Sequence, residues 1–391
     1  MSIIVDKPDT MQNEPIEIGA HKLKPNEVYT FKLTLSHNYG THRSSATFRS
    51  DDSGAINLAY MSPLRGSYQG IDAMGLFLSI APCEDFAFGG YLRCTPPIPF
   101  YYLLQLLDAS ENIIDQTYIK KHWCHPNLER TELETKDFGF CGTLFRPPGK
   151  GPFPCIMDLS GTGGGIHEHK GAILLDASEN IIDQTYIKKH WCHPNLERTE
   201  LETKDFGFCG TLFRPPGKGP FPCIMDLSGT GGGIHEHKGA INGILLTDKN
   251  FQYLTKELTD ETEIPWGRIP TDVKMRVIGS VDDTCSPSVH TTLYRQKRLK
   301  ETGHDVEVEL VNGGHIMEPP YFPHHELVYA KFQGFYCGYG GEIVLHAKSQ
   351  EKTWANTIAF FKRALGAPAE IPDWKRLKIV VPPKKENEAK L

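Results

Sequence analysis

The chain has 391 residues, of which 39 % are hydrophobic and 23 % charged, with a formal net charge of −6. That apolar share excludes a disordered chain, and the longest oily stretches, around Phe100–Leu107 and Gly75–Ala81, are too short to span a bilayer. Mild acidity without a basic block argues against nucleic acid or an anionic membrane as partner.

Residues 106–173 and 174–241 are the same 68 residues, letter for letter, so 323 positions are independent. Three of the 10 cysteines and four of the 17 histidines are duplicates. Natural repeat folds stack three or more diverged units, which this pair does not resemble. Identity this complete means a very recent duplication or an error in assembling the sequence, and the content favours the second. Each copy carries strand-like pieces that need partners outside it, so a second copy cannot add its own core. The two copies therefore cannot occupy equivalent places: the first, continuous with residues 1–105, should finish the sandwich and start the sheet, and the second should pack poorly or displace it.

Along the chain, Asp6, Lys7 and Asp9 follow directly on Ile3–Val5, which is far too short for a secretory leader. The cysteines form no dense framework, as in a reducing compartment. Residues 15 to about 125 read as β. In Val28–Leu35, Tyr29, Phe31, Leu33 and Leu35 alternate with Thr30, Lys32 and Thr34, a half-buried strand. Turn clusters follow at His37–Gly40 and Asp51–Gly54, short strands at Ser45–Arg49 and Ala55–Tyr60, and a closing strand at Ile113–Ile119. Several short strands so spaced predict a sandwich.

From Glu129 the pattern reads as two hairpin strands, a Pro/Gly loop, a buried strand at Cys155–Leu159 and the loop Ser160–Gly165. Beyond the repeat, Met275–Ile278 reads as a strand. A helix begins at Ser286-Pro287 and runs to about Lys300, Val306–Val311 is a strand, and Thr353–Leu365 is an amphipathic helix stopped at Gly366. Alternating strands and helices predict a mostly parallel α/β sheet. The predicted fold class is β + α/β: a sandwich over 14–128, an α/β-hydrolase domain over 129–366 with the copy 174–241 inside it, and a polar tail over 367–391.

Functional groups of such sheets gather past the carboxyl ends of the strands. Asp282 and Asp283 follow the strand ending at Ile278, and His315 follows the strand ending near Val311. A carboxylate and then a histidine on such loops fit the acid and base of a Ser…Asp…His triad, with two turn aspartates and a loop histidine as the plain alternative. The loop Ser160–Gly165, repeated at Ser228–Gly233, offers backbone N–H groups for an oxyanion. The candidates are Gly161, Thr162 and Gly163, and their duplicates Gly229, Thr230 and Gly231. A nucleophile elbow is lacking: neither G-x-S-x-G nor its cysteine form occurs in the 391 residues. Gly66–Gly70 has its serine one place early, Ser160 and Ser228 lack the elbow context, and Cys285 reads as an ordinary small residue. No metal site is expected: His167–His169 and His122–His125 lack the partner spacing of zinc ligands and read as surface polar residues.

The segments 57–82, Gly151–Gly165, Gly314–Pro323 and Gly340–Trp354 together resemble the family of acyl-CoA thioesterases and bile-acid-CoA:amino acid N-acyltransferases. The resemblance implies a sandwich followed by an α/β hydrolase, fatty acyl-CoA as substrate, no cofactor besides that coenzyme A thioester, Asp283 as triad acid and His315 as triad base. It also locates the departure. His235–Ala240 of the second copy runs straight into Ile241–Asn250, which resembles the strand after the elbow, so a repeat of the preceding segment stands where the elbow belongs. Ala389, Lys390 and Leu391 resemble a peroxisomal address read by the import receptor, which makes the peroxisome the expected compartment and the cytoplasm the alternative.

Overall fold

The computed structural model describes residues 2–38, 40–83, 92, 98–125, 128–133, 142–146, 155–159, 183–187, 197–202, 209–214, 240–241, 244–245, 263, 266–317, 319–330 and 335–365. The N-terminal region is two sheets over one core. The larger orders its strands Asp9–Met11, Ile113–His122, Phe100–Leu107, Val28–His37, Gly40–Arg49 and Arg65–Gly66, with Ala81–Pro82 also on Gly40–Arg49. The smaller is Ser2–Val5, Ile18–His21 and Ile56–Asn57. The alternation in Val28–His37 is realised residue by residue: Tyr29, Phe31, Leu33 and Leu35 are buried, and the residues between them are not. They meet Phe48, Tyr102 and Leu104 in a core that also takes Ile18 and Ile56 from the smaller sheet. Each such side chain contributes about 1.5–3 kcal/mol of burial free energy. The predicted strand at Ser45–Arg49 begins earlier, at Gly40, because it pairs along the whole of Val28–His37. The one at Ala55–Tyr60 shrinks to Ile56–Asn57.

The segment His122–His125 is a correction. Trp123 is 1 % exposed and Cys124 and His125 are buried, so the segment is core rather than surface. Trp123 meets Phe100 and Phe322 edge-on, both with ring centroids 5.4 Å away, which fixes the sandwich to the loop beyond the C-terminal strand Val306–Val311. Next to it Lys121 is wholly buried, donating to the carbonyls of Glu14 at 2.6 Å and Met11 at 3.3 Å. Its ammonium stands over the rings of Phe77 and Tyr321.

In the C-terminal part, Met275–Ser280 and Val306–Val311 pair in parallel, joined through the helix Ser288–Glu301. The helix starts two residues later than the sequence suggests, with Pro287 as the N-cap residue. Pro lacks the N–H that a first turn leaves unused, so either place suits it. The last helix starts ten residues earlier than expected and spans Ile343–Leu365. Its first turns bury His346, Ala347, Gln350 and Thr353, and a polar buried face carries no apolar periodicity to read.

The expected single parallel sheet is not formed among the described residues. The βαβ pair is two-stranded. Separate four-stranded sheets order Ala240–Ile241, Ile244–Leu245, Phe335–Gly338 and Leu327–Ala330, and Glu129–Leu133, Gly142–Arg146, Asp183–Ile187 and Cys155–Leu159. Glu197–Glu202 and Cys209–Arg214 form a further two-stranded hairpin. The copies are placed differently. Residues 115–119 of the first lie inside the large sandwich sheet, and their duplicates Asp183–Ile187 lie between Gly142–Arg146 and Cys155–Leu159. Met275–Ser280 has no parallel neighbour on its other edge among the described residues.

Burial pushes Lys121 down to about 7 from 10.5. Between those values the unfolded chain binds more protons than the folded one, so this residue makes stability rise with pH. Relative to Lys121→Met, the parent chain should gain stability as pH is raised from 7 to 10.5. Denaturant midpoints of both chains across that window check this, and a pH-independent difference would contradict it.

Candidate active site

Three turns meet at the ends of the βαβ strands. The first, Asp282–Ser286, leaves Met275–Ser280; the second, Gly313–His315, leaves Val306–Val311; the third, Tyr339–Gly341, follows Phe335–Gly338. Main-chain bonds stitch them: Asp282 N–H to the Gly313 carbonyl at 3.0 Å, and His315 N–H to the Tyr339 carbonyl at 2.7 Å. The Asp282 carboxylate accepts the Gly341 N–H at 3.0 Å. Glycine is required where they touch. A Cβ on Gly314 would lie 2.2 Å from the Gly340 carbonyl oxygen, and one on Gly340, at φ +69°, would lie 1.9 Å from that of Asp282. The Gly313-Gly314 pair that precedes the histidine in the sequence thus serves close backbone approach.

These turns bring the two predicted residues together. His315 Nδ1 donates to Asp283, 3.0 Å from Oδ2 and 3.2 Å from Oδ1. The carboxylate is nearly buried, with a side chain 3 % exposed, while the imidazole side chain is 34 % exposed. Asp283 also accepts the N–H groups of Cys285 and Ser286 at 2.9 and 2.8 Å and the Ser286 hydroxyl at 2.8 Å. Burial works against its charge, but the His315 and Ser286 bonds outweigh burial and hold its carboxyl below the usual range. Burial likewise opposes a charged His315, yet the hydrogen bonds it donates to Asp283 and Cys285 push it up to about 10. The pair can therefore hold a proton at neutral pH and release it to solvent or substrate as the pH rises. With Nδ1 committed to the carboxylate, Nε2 is the nitrogen that remains to exchange a proton with a reacting group.

Sequence reasoning missed the Ser286 hydroxyl, which sits on the carboxylate side at 3.5 Å from His315 Nδ1 and so braces the acid. It also missed the side-chain role of Asp282, for which its place one residue before the acid was the available signal. The predicted oxyanion residues Gly161, Thr162, Gly163, Gly229, Thr230 and Gly231, the segment His167–His169 and the tripeptide Ala389–Leu391 lie outside the described residues. A cleft of about 510 Å³ opens between Ala81-Pro82 of the sandwich and Asp282, His324, Glu326 and Gly341. Neither Asp283 nor His315 lines it. Its carboxylates at 282 and 342 are already engaged, the latter accepting the Leu345 N–H at the helix start.

Because the folded-state value of His315 lies above that of a free imidazole, its pairing stabilises the native state below about pH 6.5, and this contribution is lost as pH rises through about 10. Asp283→Asn should lower stability by about 1 kcal/mol at pH 6, the scale of a partly exposed pair, and the deficit should fade by pH 10. Thermal or denaturant unfolding of both chains at the two pH values measures it, and a deficit independent of pH would count against the pair.

Two family models match the chain. One, described as the acyl-CoA thioester hydrolase/BAAT N-terminal region, covers residues 13–135. The other, BAAT / acyl-CoA thioester hydrolase C terminal, covers residues 227–367 and so takes in the second copy's glycine loop. Similar curated proteins include peroxisomal succinyl-coenzyme A thioesterase of Mus musculus, 25 % identical over 91 % of this chain and 94 % of its own length. Acyl-coenzyme A thioesterase 1 of Mus musculus is 26 % identical over the same shares. Acyl-coenzyme A amino acid N-acyltransferase 1 of Mus musculus is 24 % identical over 93 % of this chain and 98 % of its length. With models matching both its N-terminal and C-terminal regions, and with relatives aligned along nearly its whole length, the chain belongs to the family of acyl-CoA thioesterases and bile acid-CoA:amino acid N-acyltransferases.

Proposed function

We propose that this chain receives fatty acyl-CoA thioesters, with His315 as the proton-handling group and Asp283 as the group that orients it, and that it does not complete their cleavage. The observation that carries the reading is the 3.0 Å bond between His315 Nδ1 and a nearly buried Asp283 carboxylate, in a chain of this family. In the reaction that such a pair serves, the imidazole first loses its proton to solvent, and a nucleophile then adds to the thioester carbonyl and gives its own proton to the neutral ring. The imidazolium then protonates the departing coenzyme A sulfur, and water or an amine takes the acyl group. The pair is in place, while the sequence offers no G-x-S-x-G or G-x-C-x-G elbow to start the sequence of steps. The same contrast favours one second reading, an acyl-CoA-binding or interaction protein without catalysis. Relatives of both thioesterase and N-acyltransferase name keep water and amines equally open as acceptors.

No described helix is long and apolar enough to cross a membrane. We place the protein in the peroxisome, a reading supported by the name of one relative, with the import receptor as the partner to be tested.

The purified chain is to be mixed with a long-chain acyl-CoA while free coenzyme A thiol is followed, and binding measured separately by calorimetry. Binding without thiol release is expected and supports the claim of no turnover. Rapid saturable release would overturn the claim of no turnover, and absence of binding would overturn the substrate class. Imaging a fluorescent fusion with and without residues 389–391 checks the compartment: loss of peroxisomal signal on truncation is expected, and an unchanged distribution would refute it.

A further inference from the structure

The first turns of the helix Ile343–Leu365 present three polar side chains to the loop that carries His315. His346 Nδ1 accepts the Gly314 N–H at 2.9 Å. The Ser349 hydroxyl donates to the Asn312 carbonyl at 2.9 Å. Gln350 Nε2 donates to the Ile316 carbonyl at 3.5 Å. The helix thereby grips the main chain on both sides of His315, with the contact at Gly314 one residue from it. His346 is 3 % exposed, and its Nδ1 leaves room only for glycine at 341. A Cβ on Gly341, at φ +92°, would lie 2.9 Å from that nitrogen, while one on Gly313 would lie at ordinary contact, 3.4 Å. Its ring packs against His324, with centroids 4.8 Å apart, and the His324 N–H donates to the Ile80 carbonyl of the sandwich at 3.3 Å.

We propose that His346 is a positioning residue for His315: its neutral imidazole anchors the Gly314 N–H, and through that amide sets where the His315 ring stands against Asp283. This rests on the reading of His315 and Asp283 as the proton-handling pair. An acceptor role requires Nδ1 to be unprotonated, and burial, with the neighbouring His324, pushes the group down to about 3. A buried N–H that lost its acceptor, here the one it has among the described residues, would carry the full desolvation cost of that group, so the turn would shift to find another. His315, the next residue, is the side chain that such a shift would displace, with its own N–H on the Tyr339 carbonyl at 2.7 Å as the remaining main-chain anchor.

The test reads the His315 imidazole directly, in the full chain, by nuclear magnetic resonance titration with labelled histidine. It compares the parent with His346→Asn, whose amide oxygen can stand where Nδ1 stands, and with His346→Ala, which has no acceptor. Thermal unfolding of each variant is recorded alongside. In His346→Ala the His315 midpoint should fall from about 10 by at least one pH unit toward its ordinary value of 6.5, and the Gly314 amide should exchange faster with solvent. In His346→Asn both should stay near the parent. An unmoved midpoint in a folded His346→Ala would overturn the proposal. So would equal shifts in the two variants, because simple loss of packing does not distinguish an acceptor from a methyl. The readout needs no thioester turnover, so failure of the proposed substrate reading leaves this result intact, and the reverse also holds.

Discussion

Everything about the candidate site depends on the backbone-to-backbone contact of three turns, at Asp282, Gly314 and Gly340. Two peptide planes can come this close only where no Cβ intervenes, and at Gly314 and Gly340 one would sit 2.2 and 1.9 Å from a carbonyl oxygen. That contact places the acid of one turn within hydrogen-bond reach of the base of the next. The Asp283–His315 pair is thus a product of main-chain geometry first and of charge second. The charge then deepens it, since a nearly buried carboxylate with several donors holds its own proton off and raises that of its partner.

The turns are supported from the sandwich side as well. Trp123, Phe100 and Phe322 form an aromatic junction, and Gln12 donates to the Tyr321 carbonyl at 2.7 Å from the N-terminal region. Lys348, on the helix that grips the His315 loop, pairs with Asp72 at 2.6 Å. The core is continuous from Phe31 to Tyr321, Phe322 and Ala347. A change deep in the sandwich can therefore reach the site through packed side chains, without touching either member of the pair.

The tandem copies are a case of identical sequence in different places. The five residues Asp-Gln-Thr-Tyr-Ile are a strand both times. At 115–119 the strand is antiparallel to Phe100–Leu107, and at Asp183–Ile187 it is antiparallel to Gly142–Arg146 and parallel to Cys155–Leu159. Intrinsic propensity settles that they are strands. Their neighbours are settled by connectivity, because only the first copy is joined through a short turn to the strand it completes.

Local patterning was legible wherever one face of an element is apolar and the other is not. Val28–His37 buries the residues that alternation selects, while Val306–Val311 keeps its predicted bounds with only its end residues buried. The hairpin of Glu129–Leu133 with Gly142–Arg146 forms as read. Asp283 and His315 were legible because each follows a strand end, a position the fold reserves for chemistry. Buried polar groups were not legible. The first turns of Ile343–Leu365 and the stretch His122–His125 bury histidine, glutamine and cysteine, whose side chains carry no periodic apolar signal. Their burial makes sense only once the partner carbonyls and rings arrive from other parts of the chain. By itself the sequence determined which residues form strands and helices, which family the chain resembles, and that an elbow is lacking. The tertiary structure decided where the second copy's strand inserts and which polar residues hold the acid and base together, because both depend on contacts between positions far apart in the chain.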